Sequence, residues 1–273
     1  MIPPVRSIRA VAFDLDDTLL RDDLSISDQT VQTLRHLAGS GIHVIPASGR
    51  TRMSMQPFVD RLSCAVLFIA SNGAEIREGS TGRLLHQETF STEIGQEIAR
   101  FGKDHHCYTQ TYDGDRFYFN ERSVWADQYA AASVLSGVYV GDLEAFIREP
   151  RTKILIMDTP DRISVLLREA REQFRGRVSV TCSKPWFLEF NALRATKGIA
   201  IGLAASRLGF SAENVMAFGD SLNDLPMLRA AGWSVAVANA REEVRSECDS
   251  VCLSNQQDGV ALFLRQAFRE VCF

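Results

Sequence analysis

No run of roughly 18 apolar residues free of charge occurs anywhere in this chain of 273 residues, so no membrane-spanning helix is expected. The opening MIPPVRSIRAVAFDLDD lacks a basic stretch, an apolar stretch and a small-residue cleavage site, so no secretory leader is expected either. Metal and disulfide spacings are missing too. Cys64, Cys107, Cys182, Cys248, Cys252 and Cys272 are scattered and form no CxxC pair, which argues against a zinc ribbon or a disulfide framework. Free thiols fit a reducing, cytoplasmic setting. The five histidines, including the neighbours His105 and His106, show no HExxH or similar spacing and read as surface residues. There is no basic excess: 30 Lys and Arg against 34 Asp and Glu give a net charge of −4, which argues against a nucleic-acid partner. That charge suits a monomer or a homodimer. Internal repeats and low-complexity tracts are also absent.

What is present is ordinary globular composition, 45% hydrophobic and 23% charged, in a length that suggests about two domains. Both flanks alternate short apolar runs with helical patterns, the signature of βαβ units and a parallel sheet. Strands are expected at 8–13, 42–47 and 65–70, and again at 214–218, 233–237 and 249–253. Ser27 can cap a helix over 28–39, and 196–209 reads as another helix, stopped by Gly209. The middle has a different texture. Asp113-Gly114 marks a hairpin, KILIMD (153–158) a strand, 161–174 a helix and 177–190 a further strand pair. The expected layout is a parallel α/β core formed by 1–83 and 191–273, interrupted by an α+β insert over 84–190.

Four constellations carry chemistry. In AVAFDLDDTLL (10–20) an apolar strand runs into Asp14, Asp16, Asp17 and Thr18, at the sheet edge where open α/β folds place their sites. Carboxylates so close repel and call for a cation, and oxygen ligands suit Mg²⁺. One Asp could attack phosphorus while another handles protons. PASGR (46–50) offers a hydroxyl, an open backbone N–H and a cation for phosphate oxygens, although Ser-Gly is also a common turn. Lys197 stands at an expected helix start, where a positive side chain and the helix end together favour an anion; by itself such a lysine is usually a solvated surface residue, so this signal is conditional on the others. In MAFGDSLNDLPML (216–228) a second strand ends in Gly219-Asp220, and Asn223 or Asp224 can reach the same centre from the next turn.

These four stretches, in this order and at strand ends, resemble the motifs of the haloacid-dehalogenase-like phosphatases. The resemblance spans the chain and is nearest to the Cof-type branch, whose large type IIB α/β cap is inserted between the second and third motifs. SNGA (71–74) is similar to that branch as well. The resemblance implies a Rossmann-like parallel-sheet core with an inserted cap, and a Mg²⁺-dependent phosphatase acting on a small phosphorylated metabolite, sugar-like or similar. It implies Asp14 as the nucleophile and Asp16 as general acid and base. Mg²⁺ would be held by Asp14, the carbonyl of Asp16, Asp220 and Asp224. Leu15, Ser48, Gly49, Lys197 and Asn223 would serve the phosphoryl group, with Arg50 and Asn72 facing the substrate. Two departures stand out. Lys197 follows FNALRAT rather than the branch's Pro-Gly-x-x-Lys, and Ser48 replaces the commoner Thr.

A phosphomutase on the same scaffold is the main alternative. A phosphoryl-accepting switch is another, although such receivers are far shorter and lack an acid two residues beyond the nucleophile. The insert is expected to choose the substrate, with hinges near 82–86 and 187–193 and with Tyr112, Arg116, Trp186 and Glu189 as candidate contacts.

Overall fold

The computed structural model describes residues 5–114, 116–133 and 135–269. Its strands, in chain order, begin with β1 (Ala10–Phe13), β2 (His43–Pro46), β3 (Leu67–Ala70), β4 (Glu75–Glu78) and β5 (Leu84–Gln87). Next come β6 (Tyr108–Asp113), β7 (Arg116–Phe119), β8 (Ser136–Tyr139), β9 (Lys153–Met157), β10 (Val178–Thr181) and β11 (Phe187–Ala192). The chain closes with β12 (Val215–Gly219), β13 (Trp233–Val237) and β14 (Ser250–Cys252).

All four residues of β1 are fully buried, as a strand covered on both faces must be. It lies inside a five-stranded sheet of order β14-β13-β12-β1-β2, parallel throughout. Parallel bridges Val44–Ala65 and Ala47–Ile69 attach the approach to β3, and β3 itself, before β3, β4 and β5 form an antiparallel ribbon. Helices cover the crossovers. α1 (Asp28–Gly39) is capped by Ser27, whose side chain accepts from the Thr30 N–H, and α2 (Arg52–Leu62) follows β2. In β1 and β12, Phe13 stands opposite Phe218, so Asp14 and Asp220 leave the sheet together at its carboxyl edge.

The second sheet has the order β10-β11-β9-β6-β7-β8 and is antiparallel except for β7–β8. Its two faces differ. Ile154, Ile156, Leu188 and Phe190 pack into a core with α3 (Thr92–Asp104) and with Ile163, Leu166 and Ala170 of the helix Pro160–Gln173. Leu155 and Met157 face the other way, toward Tyr108, Phe117, Phe119 and the helix Val124–Ser133. β5 is still hydrogen-bonded to the first ribbon, and β11 carries the second sheet as far as Ala192.

The histidines depart from expectation. His36 and His106 are exposed, but the others are half-buried because their rings have partners: His43 stacks on Phe210, His86 meets Glu88, and His105 bridges Phe101 O and Glu169. The five described cysteines are free thiols, and Cys272 lies outside the described residues.

Candidate active site

Asp14 follows β1 directly and is buried, its N–H donating to Phe218 O at 3.0 Å. Lys197 opens a helix, Lys197–Arg207, whose first turn is capped by the Thr196 hydroxyl accepting from the Ile199 N–H. Its fully buried ammonium donates to Asp14 Oδ1 at 2.6 Å and to Asp224 Oδ1 at 2.5 Å. The unusual lead into Lys197 therefore does not divert the side chain. Gly73 helps to seat this helix: its φ is +104°, and a Cβ there would fall 2.4 Å from Thr196 O.

Asp224 is also fully buried, and both its oxygens are engaged. Oδ1 takes Lys197, while Oδ2 accepts the N–H groups of Asp220 and Ser221 at 3.0 and 3.1 Å. It thus shapes the loop after β12 from behind. Asp220 accepts the Thr18 hydroxyl on Oδ1 at 2.9 Å. Three carboxylates crowd one ammonium. Burial, followed by the neighbouring carboxylates, pushes Asp220 up to about 7. Burial raises Asp14 well above the usual carboxylate range, and the Lys197 charge offsets only part of it. Burial opposes the charge on Lys197, yet Asp14 and Asp224 outweigh it and keep the ammonium firmly protonated.

One carboxylate oxygen from each of Asp14, Asp220 and Asp224 lies within 4.8 Å of the others. Hard oxygen donors with excess negative charge fit a divalent cation such as Mg²⁺. The Asp16 carboxylate is not part of this group. Arg50 grips it from the side, Nε to Oδ2 at 2.8 Å and Nη2 to Oδ1 at 2.7 Å. Burial alone would raise Asp16, but the Arg50 hydrogen bonds and charge outweigh it and hold the carboxyl below its usual range. Of Asp16, only the carbonyl is left as the expected metal ligand.

Ser48 is buried at the end of β2, its N–H donating to Ile69 O and its Oγ accepting the Arg50 N–H at 3.1 Å. Leu15 sends its side chain into the core, so only its main chain is available to a phosphate. Asn72, in left-handed backbone at φ +58°, accepts from Asn223 Nδ2 at 3.0 Å and donates to Glu189 and Asn191, each at 3.3 Å.

A cavity of about 250 Å³ lies between the two sheets and brings Asp14, Asp16, Ser48, Gly49, Arg50, Asp220 and Asn223 to one wall. Lys153, Tyr129, Lys184, Trp186, Phe187 and Glu189 form the facing wall. Trp186 and Glu189 are thus where the sequence expects them. Tyr112 and Arg116 are not in the lining: Tyr112 is buried beside Gln110 and Tyr129, and Arg116 is exposed on its hairpin. Lys153 is not among the site residues expected from the sequence, although a lysine opening an otherwise apolar strand is a signal.

Residues 11–264 match the haloacid dehalogenase-like hydrolase family along almost the whole chain.

The chain belongs to the haloacid dehalogenase-like hydrolases.

Among its relatives is a 5-amino-6-(5-phospho-D-ribitylamino)uracil phosphatase of Bacillus subtilis, 30% identical over 260 residues, 94% of this chain and 95% of that protein. A haloacid dehalogenase-like hydrolase from Bacteroides thetaiotaomicron superposes with a TM-score of 0.85 at 26% identity, over 96% of this chain and 100% of that one. A subclass IIB sugar phosphatase of known structure shares the fold, with a TM-score of 0.81 at 20% identity over 94% of this chain and 98% of that one. This haloacid dehalogenase-like hydrolase is therefore an enzyme with a parallel-sheet core, and it shares its fold with that subclass IIB protein.

Proposed function

We propose that this chain is a Mg²⁺-dependent phosphatase that hydrolyses a phosphomonoester of a small metabolite through a phosphoryl group carried on Asp14. The observation that supports this most is the pairing of Asp14 with the buried Lys197 ammonium at a strand end, inside a carboxylate cluster suited to a cation. Residues 84–190 then act as a cap over the core formed by 1–83 and 191–273. We place the enzyme in the cytoplasm, on the strength of its free thiols.

Asp14 attacks phosphorus in line with the leaving oxygen, forming the Asp14–phosphorus bond as the ester oxygen departs. Protonated Asp16 gives that oxygen its proton. Asp16, now a carboxylate, takes a proton from water, whose oxygen attacks phosphorus and releases phosphate from Asp14. Ser48, the Gly49 N–H, Lys197 and Asn223 hold the equatorial oxygens in both steps. Bound Mg²⁺, held by Asp14, Asp220 and the Asp16 carbonyl with Asp224 behind, would neutralise charge on the phosphoryl group.

Arg50 fits this scheme as a partner that Asp16 must lose. While it grips Asp16 the acid is a carboxylate, which suits only the second half-reaction. An entering phosphate ester draws Arg50 away and lets Asp16 carry its proton.

The test is phosphate release from a panel that spans sugar phosphates and 5-amino-6-(5-phospho-D-ribitylamino)uracil, with and without Mg²⁺. Mg²⁺-dependent release by the wild type and none by Asp14→Asn is the expected result. Multiple turnovers by Asp14→Asn would remove Asp14 as nucleophile.

A further inference from the structure

A buried ion pair stands opposite the phosphate loops and has no part in the chemistry above. Lys153 and Glu189, with side chains 4% and 1% exposed, contact each other from neighbouring strands of the second sheet. The register explains why they face the cavity: Lys153 stands opposite Asn191, Leu155 opposite Glu189 and Met157 opposite Phe187, so these six share a face. The intervening Ile154, Ile156, Leu188 and Phe190 fill the apolar core behind. A charged pair here must lose its water on both sides, and two apolar residues would fill the space at no such cost.

The pair reaches across to the core in two directions. Lys153 Nζ donates to Gly49 O at 2.9 Å, in the loop that carries Ser48 and Arg50. Glu189 Oε2 accepts from Asn72 Nδ2 at 3.3 Å, and Asn72 Oδ1 in turn accepts from Asn223 Nδ2 at 3.0 Å. One continuous chain of hydrogen bonds thus ties the loop after β2, the turn after β3 and the loop after β12. The links from Gly49 to Asn72 pass through two side chains of the second sheet, Asn191 adds a contact to Asn72 and to Ser71 O, and the last link, Asn72 to Asn223, lies within the core. Asn223 Oδ1 is buried and unpartnered at the end of that chain, so the last link is held from one side only.

We propose that Lys153 and Glu189 are positioning residues for the phosphate site. When the second sheet is seated they fix the Gly49 carbonyl and the Asn72–Asn223 contact, and with them the Gly49 N–H and the Asn223 amide that hold phosphoryl oxygens. With the sheet lifted, Gly49 O and Asn72 Nδ2 lose these partners, and the loops keep only their ties within the core, the Asn72 N–H to Ser48 O at 3.0 Å and Asn223 Nδ2 to Asn72 Oδ1. The cap therefore completes the phosphate site as well as enclosing the leaving group. This inference rests on the phosphatase reading.

The test compares wild type, Lys153→Arg, and the double variant Lys153→Met with Glu189→Gln, which leaves no lone buried charge. The readouts are the thermal midpoint, kcat and KM on p-nitrophenyl phosphate, and inhibition by inorganic phosphate at saturating Mg²⁺. The double variant is expected to keep its thermal midpoint, lose roughly 10- to 100-fold in kcat and bind inorganic phosphate more weakly, because small misplacements of binding groups have effects of this size. Lys153→Arg keeps the cation and recovers part of both losses. A double variant that turns over and binds phosphate like the wild type overturns the inference. So does one whose losses follow its melting alone, with Lys153→Arg giving no recovery. A wild type that releases no phosphate from any ester is a separate result and overturns the phosphatase reading itself.

Discussion

Arg50 sets the charge of Asp16, and it does so with a two-point grip that a lysine could not reproduce. Because the guanidinium lowers the Asp16 pKa, removing it raises that pKa. For Arg50→Met, the acid limb of the pH profile of dephosphorylation, which needs the Asp16 carboxylate, should therefore move to higher pH. A stopped-flow measurement of phosphoenzyme breakdown across pH 4–8 would read this directly, and an unmoved limb would show that Arg50 does not control Asp16. Asp220 gives the opposite sign. Its pKa is raised from 3.8 to about 7 by burial and by Asp224, so it binds its proton more tightly folded than unfolded. Metal-free protein should gain stability as pH falls through about 7 toward about 4, and lose that gain above 7. Thermal melts in a chelator should show the trend. Asp220→Asn should reduce it, leaving the share of Asp14, which burial raises as well, and saturating Mg²⁺ should suppress it by favouring the charged forms.

At the scale of elements, the strands that deliver the site were legible because each is a short apolar run ending in a chemistry-bearing residue. β1 ends before Asp14, β2 before Ser48, and β12 at Gly219 before Asp220. The expected strand over 8–13 begins only at Ala10, and Ser27 caps its helix as read. The ribbon β4–β5 was missed because EIRE and LLHQ are half-exposed and carry no strong alternation. The helix Val124–Ser133, which brings Tyr129 to the cavity, was missed too, since it has little amphipathic contrast. The bond from Lys153 to Gly49 O spans 104 positions, and no local pattern can announce such a partner. The turn after β3 gives a prediction of its own. Gly73→Ala places a Cβ against Thr196 O in backbone that disfavours it, so a loss of about 1–3 kcal/mol is expected. Because Thr196 caps the helix that starts with Lys197, activity should fall along with stability. Denaturant titration with parallel assays would check both, and a stable, fully active variant would refute the packing.

At the scale of the whole molecule, the two sheets meet through a few polar contacts around the cavity. Ser54 Oγ donates to Ser133 O at 2.6 Å, Ser221 Oγ to Ser183 O at 3.3 Å, and Arg50 Nη1 to Ala132 O at 3.4 Å. Contacts of this kind are individually weak and can open to admit substrate. Beneath them lies a strand order with consequences for how the chain is made. β1 is sandwiched between β2, about thirty residues on, and β12, paired through Ala10 and Val215. During synthesis its β2 side can pair early, while the other edge stays open until the segment containing β12 emerges. The intervening sheet, with its own apolar interior, has time to form first. Sequence-distant pairing at the centre slows refolding, so the nascent core waits with one bare edge and an exposed Ala-Val-Ala-Phe strand. Dependence on chaperones, and aggregation of chains truncated before residue 215, would follow from the place of the catalytic strand in the sheet.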